Sequence, residues 1–361
     1  MANYKVVISG YYGFRNAGDE AMLYAILRSL RSSFPSAEVT VISGRPEETA
    51  EHFHTKAVAR FDGLAIFRSL WQCDVLISGG GSLLQDVTSS RSLLYYLSII
   101  FMGIFLRKRV FLYSQGIGPL RRKWVCSLLA KVLSHADIIT VRDEKSRRLL
   151  LDLGVRAPVF LTADAVLSLP QVPLEEGQRI LEEAGISLKK KTVGISVRNW
   201  IDAETWIDQF GEYVSLLQKK DINIVFIPMQ CPEDRIMAQQ ICKDRTQGIF
   251  YLDRSFTAPE LMSIIGNLDL LVGMRLHALI FAALMHVPFI GISYDPKIDN
   301  FLHSIGEEAI FPVSAFQPEK LYNKTEELIG AERNCFDWKA IDKLRKTAEK
   351  TMQLLEGLVT K

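Results

Sequence analysis

The sequence predicts an α/β chain of two doubly wound domains, each a parallel sheet covered by helices, and three observations predict it. The first is length, since 361 residues exceed one ordinary hydrophobic core and suit two. The second is a series of short apolar runs at Lys5–Ser9, Val39–Ser43, Val75–Ser78, Val110–Ser114 and Ile138–Val141, each followed by a helical pattern. The third is a second such series at Thr192–Val197, Ile222–Ile227, Ile249–Leu252, Leu268–Val272 and Phe289–Ile292. Runs of this kind read as buried parallel strands joined by crossover helices.

Between the two series, residues 161–173 carry two prolines and little periodicity, which places the linker there. The resulting division is an N-terminal domain over 1–165, a C-terminal domain over 174–330 and a C-terminal helix over 331–361. That helix has an apolar stripe at Ile341, Leu344, Ala348, Met352 and Leu355 and must pack back on something; docking across both domains is one use. Two Rossmann-like halves facing across a cleft form the GT-B-like architecture, in which ligands sit outside the carboxyl ends of the strands. That rule sorts the polar motifs.

Composition narrows the function. Apolar residues make up 48% and charged residues 23%, enough for sizeable cores under a solvated surface. The formal charge is only +2 without a long single-sign run, which argues against a nucleic-acid stripe. Cys73, Cys126, Cys231, Cys242 and Cys335 lie far apart, without the spacing of a zinc site or a disulfide framework, and read as reduced thiols of a cytoplasmic protein. The N-terminus enters a strand directly and lacks the layout of a signal peptide. The most apolar stretch, Leu93–Leu106, falls short of the roughly 20 residues of a spanning helix. With Arg107-Lys108-Arg109 and Arg121-Arg122-Lys123 beside it, it reads either as an internal helix of the first domain or as a peripheral contact with the inner membrane face.

The strand ends carry the chemistry. The first strand runs into Gly10-Tyr11-Tyr12-Gly13-Phe14-Arg15-Asn16-Ala17-Gly18-Asp19-Glu20 ahead of an amphipathic helix. Its glycines permit close backbone approach to a ligand, and the helix start after Gly18 favours an anion or a sugar hydroxyl. The spacing is not that of the dinucleotide fingerprint. Asp19 either caps the helix or meets substrate. The third strand ends in Gly79-Gly80-Gly81-Ser82, which exposes N–H groups without side-chain bulk. The fourth ends in Ser114-Gln115-Gly116-Ile117-Gly118-Pro119 and the fifth in Arg142-Asp143.

In the second half, Arg198 leaves an apolar strand at its tip, a position equally open to a solvated surface group. Arg275 and His277 stand at the joint between the strand Leu268–Val272 and a wholly apolar helix. A guanidinium among such neighbours needs a partner. An anionic substrate at the helix N-terminus is one; an Arg–Asp pair with His277 as packing is the other. No Asp-rich or His-rich cluster suggests a metal.

Taken together, Gly13-x-x-Asn16-x-Gly18-Asp19-Glu20, Gly79-Gly80-Gly81-Ser82, Ser114-Gln115-Gly116-x-Gly118-Pro119, Arg142-Asp143 and Met274-Arg275-Leu276-His277 resemble the polysaccharide pyruvyl transferases, in family order and over most of the chain. Within that family the chain looks like the cell-surface-anchoring branch of Gram-positive bacteria. The resemblance implies transfer of pyruvate from phosphoenolpyruvate, as a ketal, to the 4- and 6-hydroxyls of an N-acetylmannosamine residue. The acceptor would be a lipid-linked disaccharide precursor of the secondary cell wall polymer that anchors the S-layer.

The resemblance carries over the Arg-Leu-His element to Arg275 and His277 and puts the donor arginine at Arg198. A compact trianion needs fixed cations and N–H donors. The expected substrate-binding set is therefore Arg198 and Arg275, with Asn16, Gly18, Gly80, Gly81, Ser82, Gln115 and Arg142. His277 is the candidate acid, and Asp19 or Glu20 would orient or deprotonate the acceptor hydroxyls. Neither a metal nor a cofactor is required. The rivals are a nucleotide-sugar glycosyltransferase on the same architecture and a non-catalytic sugar-binding or assembly protein. The oligomeric state stays open.

Overall fold

The computed structural model describes residues 4–86, 90–199, 203–243, 245–330 and 336–360. Trp200, and the start of the 331–361 segment with Cys335, lie outside the described residues. The chain divides into two compact units. The first comprises Met1–Phe14, Asp19–Leu169 and Leu344–Lys361, the second Arg15–Gly18 and Pro170–Lys343.

The first unit contains β1 (Lys5–Ser9), α1 (Ala17–Ser33), β2 (Glu38–Ser43), α2 (Pro46–Phe53), β3 (Lys56–Ala59), α3 (Gly63–Gln72) and β4 (Val75–Ser78). It continues with β5 (Gly81–Leu84), α4 (Ser90–Phe105), β6 (Arg109–Ile117), α5 (Lys123–Leu133), β7 (Ile138–Val141), α6 (Glu144–Asp152) and β8 (Val159–Leu161). Its strands are parallel in the order β3-β2-β1-β4-β6-β7-β8, and β5 pairs with β6. Strands β1 and β4 are buried at nearly every position because helices cover both faces of a doubly wound sheet. The order reverses between β1 and β4, so their carboxyl ends flank a switch point, where such sheets hold ligands.

The second unit contains α7 (Glu175–Glu183), β9 (Thr192–Ser196), α8 (Ala203–Gln218), β10 (Asn223–Phe226), α9 (Glu233–Cys242), β11 (Ile249–Tyr251) and α10 (Ala258–Gly266). Then come β12 (Leu270–Gly273), α11 (Leu276–Leu284), β13 (Phe289–Gly291), α12 (Pro296–Ser304), α13 (Pro318–Ile329) and the first residues of α14 (Trp338–Val359). Its parallel order is β11-β10-β9-β12-β13, with the switch point between β9 and β12. Each unit is thus a Rossmann-like sheet with its own core. In α14, Ala348, Met352 and Leu355 are buried as the stripe requires, and from Leu344 the helix counts with the first unit.

Three strands escape the sequence pattern. β3 and β8 are short, with exposed ends, and β5 begins inside the glycine run. The fourth strand also runs further than its apolar run suggests, because β6 continues to Ile117 through a register shift between Leu112 and Gln115. At that shift Ser114 has φ of 48°, and its N–H donates to the Thr140 hydroxyl at 2.7 Å, as a bulge needs.

Candidate active site

Around the switch point of the first unit, Tyr12 folds inward. It is wholly buried, and a Cβ at Gly79 would overlap its hydroxyl, so glycine is required there for the ring to lie across the β4 end. Burial, reinforced by the nearby Asp19 and Glu20 charges, holds the Tyr12 phenol well above its ordinary range. Two residues into α1's first turn stand those carboxylates. Asn16, not Asp19, caps the helix: its Oδ1 accepts from the Gly18 N–H at 3.1 Å. Asp19 lies beside Gly81, its Oδ1 3.4 Å from where a Cβ would stand. Glu20 accepts from the Gly13 N–H at 2.8 Å, and Gly13 reaches that position with φ of 77°.

Burial pushes the Glu20 carboxyl up to about 7, against the Gly13 N–H that favours the anion, and the Asp19 charge adds to the rise. A carboxyl titrating near neutrality is matched to exchanging protons with a sugar hydroxyl.

Gln115 is placed differently from the expectation. It is fully buried in β6 beyond the bulge, and its amide donates to the Ser78 and Gly79 carbonyls. Through its amide nitrogen it braces the glycine run from within β6, where the sequence reading placed it on a rim loop. Arg142 is likewise engaged: its side chain, 7% exposed, pairs with Asp164 at 2.8 Å and donates to the Ser82 hydroxyl at 2.9 Å. Together these contacts tie the end of β7 to the start of β5 and to the segment after β8. Gly80 packs close to Met22.

In the second unit, the short segment Arg15–Gly18 forms an antiparallel bridge from Asn16 to Gln230, and the Ala17 N–H donates to the Met229 carbonyl at 2.7 Å. The same stretch supports Arg275. Asp234, 2% exposed, takes both Arg275 Nε at 3.1 Å and Arg275 Nη2, together with the Met229 and Gln230 N–H groups at 3.0 Å each. Of the two partners that the sequence leaves open for Arg275, the Arg–Asp pair is built into the protein. Burial keeps the Asp234 carboxyl above its usual range, opposed by the Arg275 charge and hydrogen bond.

His277 stands in the first turn of α11 at the β12 end. A Cβ at Gly18 would overlap its ring, so the imidazole rests directly on the backbone of the Asn16–Gly18 segment. The glycine is what permits this approach. At the neighbouring β9 end, Arg198 Nη1 donates to the Tyr294 hydroxyl at 2.7 Å, with the guanidinium 4.4 Å from the ring centroid. Lys297 lies over the same ring at 5.5 Å. Burial raises the Tyr294 phenol, but the Lys297 and Arg198 charges outweigh it and hold the group below its ordinary value.

Adjacent strands β9, β12 and β13 therefore lead to Arg198, His277 and a Tyr294–Lys297 pair on one rim of one unit. Tyr294 and Lys297 were not singled out by the sequence reading; the apolar run 289–292 ending just before them was the available signal. Among the described residues no group of three or more His, Cys, Asp or Glu side chains is placed to hold a metal ion.

Residues 16–296 match the family described as polysaccharide pyruvyl transferase. The chain belongs to the polysaccharide pyruvyl transferase family. The matched span takes in Asn16, Gly18, the glycine run, Arg142, Arg198, Arg275, His277 and Tyr294. No match was found among curated protein sequences. Solved structures with a similar fold include the UDP-GlcNAc 2-epimerase from Methanocaldococcus jannaschii, 13% identical with a TM-score of 0.67 over 98% of this chain and 99% of that one. A putative UDP-N-acetylglucosamine 2-epimerase from Listeria monocytogenes is 14% identical with a TM-score of 0.66, covering 97% and 94%. S. aureus MnaA, solved with UDP, is 13% identical with a TM-score of 0.69, covering 98% and 94%. At these identities the likeness shows the GT-B-like fold alone.

For this pyruvyl transferase, Glu20→Gln has a signed expectation. A carboxyl raised from 4.5 to about 7 in the folded state contributes stability that is fully present below pH 4.5 and lost as pH rises to 7. Glutamine keeps the acceptor for Gly13 without the charge. The variant should gain up to about 3 kcal/mol over the parent at pH 8 and nothing at pH 4, read by urea unfolding at both. Equal pH dependence in the two proteins would show that Glu20 does not titrate there.

Proposed function

We propose that the enzyme transfers pyruvate from phosphoenolpyruvate, as a ketal, to the 4- and 6-hydroxyls of an N-acetylmannosamine residue in a lipid-linked cell wall polymer precursor, releasing phosphate. The observation that carries the reading is the rim of the second unit, where Arg198 and Lys297 flank Tyr294 beside His277 at a helix N-terminus. Such a set suits a small, highly charged enol phosphate: guanidinium and ammonium for phosphate and carboxylate, helix N–H groups for the rest. The N-acetylmannosamine acceptor and its linkage to cell-surface anchoring rest on the sequence resemblance.

In the proposed reaction His277 gives a proton to the methylene carbon of the donor, leaving an oxocarbenium-like centre at the carbon that bears phosphate. One acceptor hydroxyl adds to that carbon, phosphate departs with the carbon–oxygen electron pair, and the second hydroxyl closes the ring. Each hydroxyl gives up one proton: one restores His277, and the other is taken by Glu20, with Asp19 beside it, and passes on to the departing phosphate or solvent. Arg275 serves the donor indirectly, by holding the Met229–Asp234 stretch against which Asn16 and Ala17 are fixed. Arg142, Ser82 and Gln115 position the glycine run, leaving Gly80 and Gly81 for the acceptor. Donor specificity tests the reading: phosphoenolpyruvate should bind where nucleotide sugars do not.

A further inference from the structure

Helices α3, α4 and α5 lie side by side on the first unit, with α4 packed against both others. Helix α4 is half internal: Leu93, Tyr96, Leu97 and Ile100 are buried in the core. Its other side is open. Phe101 is 54% exposed and Phe105 73%, and Trp71 on α3 and Trp124 on α5 are 63% and 53% exposed. Between α4 and α5 an apolar groove of about 630 Å³ opens beside Phe101 and Phe105, lined also by Leu94 and Leu128. Lone exposed apolar residues are ordinary, but large exposed aromatics on three neighbouring helices beside an apolar groove are not.

The charge around the patch is one-sided. None of the three helices carries an Asp or Glu. Arg68, Arg91, Lys123 and Lys131 are exposed on them, with Arg107 and Arg121 just beyond their ends. The acids next to these helices in the chain make backbone hydrogen bonds: Asp62 caps α3, Asp74 and Asp137 accept from the Lys5 and Val110 N–H groups, and the buried Asp86 accepts from the Arg121 and Arg122 N–H groups. Arg109 is not part of this rim, because its guanidinium donates to the Val359 carbonyl at 2.6 Å. Lys108 reaches the Trp71 carbonyl at 2.7 Å and ties the ends of α3 and α4 together.

We propose that the α3–α4–α5 face seats the protein on an anionic lipid bilayer, with Trp71, Phe101, Phe105 and Trp124 entering the headgroup boundary and the cations contacting lipid phosphates. Aromatic side chains favour that boundary, and each basic group near an anionic surface adds to the attraction. Among the described residues no helix is long and apolar enough to cross a membrane, so the contact is peripheral. A second copy of the chain fits poorly, because a twofold contact lays the same acid-free, basic-rimmed patch on itself and opposes like charges. The inference does not depend on the donor or acceptor chemistry.

The test is flotation of the full chain with vesicles of phosphatidylcholine alone and with added phosphatidylglycerol. Two variants, all at exposed positions, separate the contributions: Phe101→Ser/Phe105→Ser/Trp124→Ser and Arg107→Glu/Lys123→Glu/Lys131→Glu. Circular dichroism first establishes that both fold. The parent should float with the anionic vesicles only, each variant should lose at least tenfold in partitioning, and raised salt should weaken the parent. Binding indifferent to the anionic lipid, binding that survives either variant, or no binding together with a dimer that the apolar variant dissociates would each overturn the proposal.

Discussion

Arg275→Ala should cost the protein about 3–5 kcal/mol of stability as well as its activity. On sequence grounds the residue is either a substrate ligand or one half of a structural Arg–Asp pair. In the structure its guanidinium is the counter-charge of Asp234, whose side chain is almost wholly buried at the start of α9. Removing the cation leaves that carboxylate with only the Met229 and Gln230 N–H groups for compensation. The group must then take up a proton or admit water, and either costs free energy. Urea unfolding measures the loss. Arg275→Ala/Asp234→Asn should recover part of it, since asparagine still accepts a backbone hydrogen bond without burying a charge, but should not recover turnover. An Arg275→Ala protein as stable as the parent would show that the ion pair is not what holds this corner.

His277→Ala should lower kcat by about 10²–10⁴ with little effect on folding, the range lost when a positioned acid is removed. Gly18→Ala offers an independent reading of the same site. Its methyl group would occupy space taken by the His277 ring, so the imidazole must rotate away while remaining in the protein. A comparable fall in kcat is expected. The two losses should not add, because a displaced imidazole and a missing one fail at the same step, so the double variant should match His277→Ala within a factor of a few. Full additivity would mean that Gly18 and His277 act separately.

The parts of this protein legible in its sequence are those governed by local pattern. Strands such as Val75–Ser78 and Leu270–Gly273 are buried on both faces, so they read as unbroken apolar runs. The short strands β3 and β8 bury little, and β5 starts among glycines, so none of them leaves that signature. In the candidate site, Arg198, Arg275 and His277 stand out because polar groups interrupt apolar surroundings at strand ends. What closes on them does not. Asp234 is 41 residues from Arg275 and looks like any acidic residue opening a helix. Tyr294 lies 96 residues from Arg198, and only the sheet order brings the β13 end to the same rim. That Gln115 sits in a strand was hidden for a related reason, since the bulge that carries β6 onward rests on Thr140, a residue of another strand.

The central claim, that Arg198, Lys297 and the His277 helix end accept a compact anionic donor, is tested most directly by thermal unfolding with a ligand series. Phosphoenolpyruvate should raise Tm saturably, with about 2.7 kcal/mol of added stability at 100 times Kd. The shift should shrink in Arg198→Ala and at high salt, inorganic phosphate should compete weakly, and UDP-GlcNAc should leave Tm unchanged. Stabilisation by UDP-GlcNAc with indifference to phosphoenolpyruvate would contradict the account.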